Sequence, residues 1–275
     1  MDITLEEAHK KELQLIDRIK SLKNVLVAFS GGVDSTYLLA IAQEVLNKNC
    51  QAVFARGAMI SAQEEKEALA LIRDFEFPVS VIDTDILSLK EFRDNPKDRC
   101  YFCKKKLFET FRIFGAQFGC ATIIEGTNAS DTQDFRPGRI ALQELNVISP
   151  LLEVGLSKAE IRVLSRRRNL PTWNKPSMAC LASRVPYGDK ITASLLQRIA
   201  QAEGILHQKG YLEYRVRVHG DIARIEIPVS EFTKLLQELA DITTPFLKLG
   251  FRYVTLDLMG LRSGSLNPNQ AEDLQ

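Results

Sequence analysis

The sequence predicts an α/β protein: a parallel sheet with helices on both faces, followed by a smaller α+β domain. Three observations carry this reading. Short β-branched runs alternate with helical stripes of about 10–15 residues as far as residue 125, the grammar of a covered parallel sheet. The first run ends in Ser30-Gly31-Gly32, a turn opening directly into a helical pattern. After about residue 186 the order changes to helix, strand, strand, helix, strand.

Taken along the chain, residues 4–22 place Leu5, Leu13, Leu15, Ile16, Ile19 and Leu22 among charges, an amphipathic helix with Thr4 as its cap. Val25–Phe29 reads as a buried strand and residues 35–47 as the helix after the turn. Then follow a strand over 51–56, a helix over 61–75, a strand over 78–83, a helix over 104–118 and a strand over 121–125. In the second part a helix (192–208) precedes a strand over 211–218, a hairpin turn at His219-Gly220-Asp221 and a strand over 222–227. A helix over 229–240, a short helical stretch and a strand over 250–258 complete it, with antiparallel character. Pro171, Pro176 and Pro186 cluster at the change of pattern, giving domains 1–175 and 176–275. Residues from Asn267 read as a frayed end.

Composition narrows the function. The 275 residues hold 36 Lys+Arg against 35 Asp+Glu, and 45% are hydrophobic. That balance excludes a disordered or fibrous chain, and the length supports a core needing no disulfide or metal merely to fold. A net charge of +1 supplies no global field for nucleic acid or an anionic membrane. The N-terminal residues mix acids and bases instead of following the order of a secretory signal. No run of about eighteen apolar residues occurs, so a cytoplasmic protein without a membrane span is expected.

The strongest local signal is Ser30-Gly31-Gly32-Val33-Asp34-Ser35. Two glycines after a strand turn the backbone sharply and bare its N–H groups, and the following helix adds its positive dipole end. The turn is therefore an anion cradle. It lacks the G-x-x-x-x-G-K-[ST] pattern of γ-phosphate transfer and resembles instead the PP-loop of ATP pyrophosphatases. That resemblance implies ATP as cosubstrate and adenylation as the reaction class, with Ser30, Gly31, Gly32 and Ser35 on the phosphates and Asp34 on Mg2+. Thr127, Asn128 and Asp131 follow the last strand of the same sheet, at the edge where such sheets bind ligands. They suit a nucleotide or magnesium, and equally suit a turn that caps a helix.

Five cysteines are too few and too irregular for a disulfide scaffold. Cys100 and Cys103 form a C-x-x-C among Arg99 and Lys104–Lys106, within reach of one metal. Cys180 lies far off in a segment of small residues and proline, whereas Cys50 and Cys120 read as buried packing thiols. The three His are remote from every cysteine in sequence. Structural zinc, a redox dithiol and an iron–sulfur cluster on three thiolates stay open at this point. Arg215 and Arg217 share one strand face, with Arg224 across the hairpin and Arg262 further on, fit for phosphate or carboxylate or simply a solvated face. Arg166-Arg167-Arg168 ends a helix and reads as a dipole complement only.

Taken together, the Ser30–Ser35 loop, Asp134-Phe135-Arg136-Pro137-Gly138, Ser183-Arg184-Val185-Pro186-Tyr187-Gly188, Arg215-Val216-Arg217-Val218-His219 and Phe251-Arg252-Tyr253-Val254 resemble the LarE family. These are PP-loop sulfur transferases of nickel-pincer nucleotide biosynthesis, and the likeness spans nearly the whole chain. It implies that carboxylates of a pyridinium biscarboxylic acid mononucleotide are activated with ATP and converted to thiocarboxylates. Arg184, Arg215, Arg217 and Arg262 would then bind the phosphate and carboxylate of that small nucleotide. One class of the family gives up the sulfur of a single cysteine; this chain resembles the three-cysteine class. There Cys100, Cys103 and Cys180 would hold a 4Fe-4S cluster whose extra sulfide is delivered. The family further implies a homo-oligomer (a hexamer) and partner enzymes before and after it in the pathway. Two readings stand beside it: a tRNA thiolase, disfavoured by the net charge of +1, and a non-catalytic nucleotide-binding protein with structural zinc.

Overall fold

The computed structural model describes residues 5–133, 137–177, 179–262 and 265–266. Thr4, Asp134-Phe135-Arg136 and the segment from Asn267, all used in the sequence reading, lie outside them. In chain order the main elements are α1 (Leu5–Leu22), β1 (Val25–Phe29), α2 (Val33–Leu46), β2 (Cys50–Arg56), α3 (Ala62–Asp74), β3 (Val79–Asp83), α4 (Lys90–Arg93) and α5 (Arg99–Ala116). They continue with β4 (Ile123–Ile124), α6 (Gly138–Glu144), α7 (Pro150–Glu153), α8 (Lys158–Arg167), α9 (Ala193–Gln208), β5 (Arg215–His219) and β6 (Ile222–Glu226). Last come α10 (Phe232–Gln237), α11 (Leu239–Lys248) and β7 (Tyr253–Leu256). None of the described helices is long and apolar enough to cross a membrane.

The described residues fall into two compact units. One lies within Met1–Gly57, Glu64–Ile86 and Asp98–Met178, the other within Ala58–Gln63, Leu87–Lys97 and Ala179–Gln275. The first is built on a parallel sheet of order β3-β2-β1-β4. Its central strand β1 is apolar along its length because both faces are covered. On one face Leu26 and Val53 pack with Phe108 and Phe111 of α5, Cys120, Ile123 and Leu142. Tyr37, Leu38 and Ile41 of α2 are fully buried, as are Leu15 and Ile19 of α1. Each such side chain contributes about 1.5–3 kcal/mol over remaining exposed. The chain leaves β1 for β2 on one side, while β4 lies on the other. This is the strand reversal at which open α/β sheets bind ligands.

α8 is fixed more firmly than its length suggests. Ser157 and Glu160 form a capping box, and Lys11 adds an ion pair to Glu160 at 2.7 Å. At its other end Arg168 donates to buried Glu12 at 2.8 Å and to Glu44 at 2.5 Å, and Tyr37 donates to Glu12 at 3.0 Å. Burial raises the Glu12 pKa, but Arg168 and Tyr37 outweigh it and hold the carboxyl below its ordinary value. Arg168 is thus a tie between three helices rather than a helix-end charge, and Arg166 stacks 4.8 Å from the Trp173 ring. Neither role was visible in a run of three arginines.

The second unit carries a three-stranded sheet of order β5-β6-β7. β5 and β6 are antiparallel, as a hairpin through Gly220 requires, but β6 and β7 are parallel because α10 and α11 intervene. The expected antiparallel character therefore holds for one pair only. Val216, Val218, Ala223 and Ile225 point to the side covered by α9 and α11. The expected helix over 229–240 is broken: a 3-10 turn at Val229–Glu231 leads into α10, and α11 begins after Glu238. Residues 87–97 join this unit through Asn95. Its fully buried amide donates to Pro186 O at 2.6 Å and Asp189 O at 3.0 Å.

Candidate functional site

The loop after β1 is shaped by two observations. Gly31 sits at φ +71°, and a Cβ there would lie 2.9 Å from Ala68 Cβ of α3, so only glycine fits. Gly32 precedes α2, which begins at Val33, two residues before the helix that was expected. Ser30 and Ser35 hydroxyls stand 2.9 Å apart, and Ser30 N donates to Ser35 Oγ at 3.2 Å. The two hydroxyls, the turn and the helix start lie together, groups of the kind that suit an anion.

Asp34 lies in the first turn of α2. Its Oδ2 receives Lys158 Nζ at 2.6 Å. Its Oδ1 is buried and has no hydrogen-bond partner among the described residues. Burial raises the Asp34 pKa, Lys158 opposes this, and Asp131 adds to the rise. A buried carboxylate oxygen without a partner is costly. A hard cation resolves that cost, so the residues present fit magnesium. Asp34 would hold it with Asp131 nearby, and the ion would neutralise phosphate charge.

The segment after β4 lies against this loop. A Cβ on Gly126 would come within 3.1 Å of Ser35 N and 3.2 Å of Asp34 Cβ, so the two loops touch there. Glu125 is buried and accepts from Thr127 N at 3.0 Å, Thr127 Oγ1 at 2.9 Å and the Ser149 hydroxyl. Asn128 Oδ1 accepts from Ser130 N at 2.9 Å, while Asn128 N donates to Asp131 Oδ2 at 3.0 Å. Thr127, Asn128 and Asp131 therefore build a hydrogen-bonded turn, and that turn borders the loop at Ser30–Ser35.

Two residues of this site escaped the sequence reading. Lys158 opens α8 and reaches Asp34 from 124 positions away. Lys175 donates to Gly31 O at 3.2 Å and pairs with Glu67 at 2.9 Å. No local motif marks either lysine. The Ser157 capping box is the one signal that could have located the start of α8.

The cysteines divide as their exposure dictates. Cys50 and Cys120 are buried, and burial pushes the Cys50 thiol up to about 12. Cys100 is exposed and Cys103 half-buried. Here the helix expected over 104–118 is corrected: α5 starts at Arg99, so both thiols lie near its start, where negative charge is favoured. Cys180 is exposed in the second unit, just before a 3-10 turn at Leu181–Arg184. Among the described residues no group of three or more His, Cys, Asp or Glu is gathered to hold a metal ion.

In the second unit the arginines do more than line a face. Arg184 is buried, its Nε and Nη2 donating to Glu203 at 2.7 and 3.1 Å and its Nη1 to Ala179 O at 2.7 Å. Arg217 is also buried; it pairs with Glu226 at 3.1 Å and donates to Ser183 O. Burial lowers its pKa to about 10 despite Glu226. Arg215 donates to Arg262 O at 2.8 Å and stays partly exposed, and Arg262 reaches Asp257 at 3.3 Å. With Arg224 on Glu226 at 3.0 Å, Glu226 faces Arg217 and Arg224, and Asp257 faces Arg224 and Arg262. Nε of Arg224, which stands 3.7 Å from Asp257, and Nε of Arg262 are buried without a hydrogen-bond partner among the described residues. Such a surface suits an anion.

Comparison with known proteins gives one family model and three relatives. A family model described as NAD synthase matches residues 8–100. A protein of Lactiplantibacillus plantarum named pyridinium-3,5-bisthiocarboxylic acid mononucleotide synthase is 36% identical over 258 residues, 94% of this chain and 94% of that one. An uncharacterized protein of Synechocystis sp. is 39% identical over 90% of this chain and 92% of its own length; one of Methanocaldococcus jannaschii is 27% identical over 95% and 99%.

Proposed function

Because the chain belongs to the pyridinium-3,5-bisthiocarboxylic acid mononucleotide synthase (LarE) family of ATP-using PP-loop enzymes, we propose how it transfers sulfur and to what. The substrate is pyridinium-3,5-biscarboxylic acid mononucleotide, whose carboxylates become thiocarboxylates. A carboxylate oxygen attacks the α-phosphorus of ATP and the bond to pyrophosphate breaks, leaving an acyl adenylate. A sulfur nucleophile then attacks the acyl carbon and AMP departs. The single observation supporting this most strongly is the likeness over 94% of both chains, which takes in the arginine-bearing second unit as well as the loop.

The chain's own groups have distinct tasks on this reading. Ser30, Gly31, Gly32 and Ser35 cradle the phosphates, and Asp34 carries magnesium on its unpartnered oxygen. Thr127, Asn128 and Asp131 line the nucleotide side. Arg215 and Arg262 take the substrate anion, while Arg184 and Arg217 hold that surface in place from below. Residues 1–175 serve adenylation and 176–275 serve substrate binding and self-association as a hexamer. The enzyme works in the cytoplasm between enzymes that make its dicarboxylate and enzymes that use its product.

On the three-cysteine resemblance Cys100, Cys103 and Cys180 would bind a 4Fe-4S cluster, thiolate being a soft ligand for iron. When bound, the cluster supplies a labile sulfide as the delivered sulfur. Anaerobic protein should show a visible charge-transfer spectrum with iron and acid-labile sulfide, and Cys100→Ala should abolish it. Protein with intact thiols that never holds iron would refute the cluster. The exposure of Cys180 favours one second reading in that event. Its Sγ attacks the acyl carbon, AMP leaves, and loss of the Cα proton breaks the Cβ–S bond, giving thiocarboxylate and dehydroalanine. Mass spectrometry of Cys180 after turnover, showing loss of the elements of hydrogen sulfide, detects that route.

A further inference from the structure

The second unit holds a cavity of about 440 Å3 beside the start of α9 and the β5–β6 hairpin. Side chains alternate along β5, so Val218, which lines this cavity, points away from the face that carries Arg215 and Arg217. Val185, Leu195 and Val218 supply apolar wall, and Asp189, Lys190 and Arg198 supply charge. A concave site with an apolar lining and a few placed polar groups is the usual form of a small-molecule site.

Each wall is fixed by the chain itself. Asn95 secures the loop that carries Val185, Asp189 and Lys190: besides the two bonds from its amide, its carbonyl accepts from Gly188 N at 2.9 Å. Arg93 O accepts from Ile191 N at 2.8 Å at the end of the same loop. Thr192 caps α9, its hydroxyl accepting from Leu195 N at 3.2 Å. Arg198 reaches from α9 to the hairpin, where Nη2 donates to Gly220 O at 3.2 Å. Its guanidinium also stacks 4.5 Å from the centroid of the buried Phe251 ring.

Arg198 is therefore held in place but not neutralised. Among the described residues it forms no ion pair, and its Nε is buried without a hydrogen-bond partner. Lys190 lines the same cavity, is exposed, and likewise forms no ion pair among the described residues. Against these two cations the lining sets one carboxylate, Asp189, so the balance is positive. A fixed guanidinium against an apolar wall attracts an anion more strongly than one free in water, and it offers paired donors to carboxylate or phosphate oxygens. We infer that this cavity is a second ligand site, taking a small organic anion. Its carboxylate or phosphate monoester group meets Arg198 and Lys190, and its apolar body lies on Val185, Leu195 and Val218. Binding there needs neither ATP nor magnesium, so the site stands or falls apart from the sulfur-transfer reading.

The experiment titrates the full chain, isotope-labelled at Val and Leu methyls and at Arg Nε, with phenyl phosphate and with benzoate. Benzyl alcohol serves as the uncharged counterpart, and thermal melting confirms folding of each variant. An anion in the site moves the methyl signals of Val185, Leu195 and Val218 together with the Nε–H signal of Arg198, and the movement saturates. The tighter of the two probes identifies the group preferred, phosphate monoester or carboxylate. Arg198→Met should weaken that probe roughly tenfold or more, the loss expected for a charge-assisted contact. Leu195→Trp, which fills the cavity, should abolish the movement at Val185 and Val218. Should either variant fail to fold, Lys190→Met takes its place with an expected several-fold loss, its side chain being exposed. Neither anion moving these signals, or movement confined to residues around Arg215 and the Ser30–Ser35 loop, overturns the site. Benzyl alcohol binding as tightly as the anions, or a folded Arg198→Met binding them as wild type does, overturns the anion assignment.

Discussion

Replacing Arg184 by methionine separates an arginine that binds substrate from one that holds the scaffold. Arg184 is 1% exposed and meets Glu203 through two parallel hydrogen bonds. Glu203 also accepts from Val216 N at 2.9 Å, so this carboxylate joins α9 to the outer edge of β5. Arg184→Met leaves Glu203 buried with that single backbone donor. Breaking a buried pair on one side costs about 3–5 kcal/mol. With a urea m-value of about 2 kcal/mol/M, the unfolding midpoint of the second unit falls by about 1.5–2.5 M. The double variant Arg184→Met/Glu203→Leu removes the stranded charge but orphans the Val216 N–H, which costs about 1–3 kcal/mol, so its stability lies between. Because the chain's one tryptophan is Trp173, in the first unit, urea-dependent hydrogen exchange at β5–β7 amides is the suitable readout. A single variant losing less than about 1 kcal/mol, or a double variant weaker than the single one, would refute the reasoning. The positioning role would then give way to direct substrate contact.

Two further outcomes follow from the geometry. Gly31→Ala places a methyl group 2.9 Å from Ala68 Cβ in a left-handed conformation, so it should destabilise the fold by more than the roughly 1–2 kcal/mol of the backbone alone and abolish binding of an ATP analogue. Gly119→Ala, at φ +67° with nothing within 4 Å, should pay only the backbone term and bind the analogue normally; equal behaviour of the two would contradict the loop assignment. His219 is held below its ordinary 6.5 by burial first and then by Arg224 and Arg217, against Asp189 and Glu226. The unfolded chain therefore takes up that proton before the folded one, so this contribution to stability is full above about pH 6.5 and declines as the pH falls through the lowered value. Melting temperatures of wild type should drop more steeply than those of His219→Leu between neutral pH and about pH 5; parallel curves would exclude His219 as the source.

Much of the first unit was legible because its strands are short apolar runs between turn residues. Val25–Phe29 coincides with β1, and the Gly-Gly turn marks the loop without any help from distant residues. The start of α5 was not legible, since Arg99-Cys100-Tyr101-Phe102-Cys103 has no apolar period and Asp98 makes no side-chain cap. Lys158 and Lys175 were hidden for a different reason: their meaning comes from contacts across more than a hundred positions. The alternation of Arg215 and Arg217 gave the shared strand face, but not that Arg217 is consumed by Glu226 on the paired strand. Side-chain period reports which way a residue points, and only the fold reports what it meets there.

The central claim is sulfur transfer through an adenylated carboxylate, and anaerobic turnover tests it most directly. Purified full chain is mixed with ATP, magnesium and pyridinium-3,5-biscarboxylic acid mononucleotide, and the products are separated by mass spectrometry. The account predicts a nucleotide in which a carboxylate oxygen is replaced by sulfur, with one AMP and one pyrophosphate for each exchange. ADP and phosphate in place of AMP and pyrophosphate, or AMP formed with the substrate left unthiolated, would contradict it.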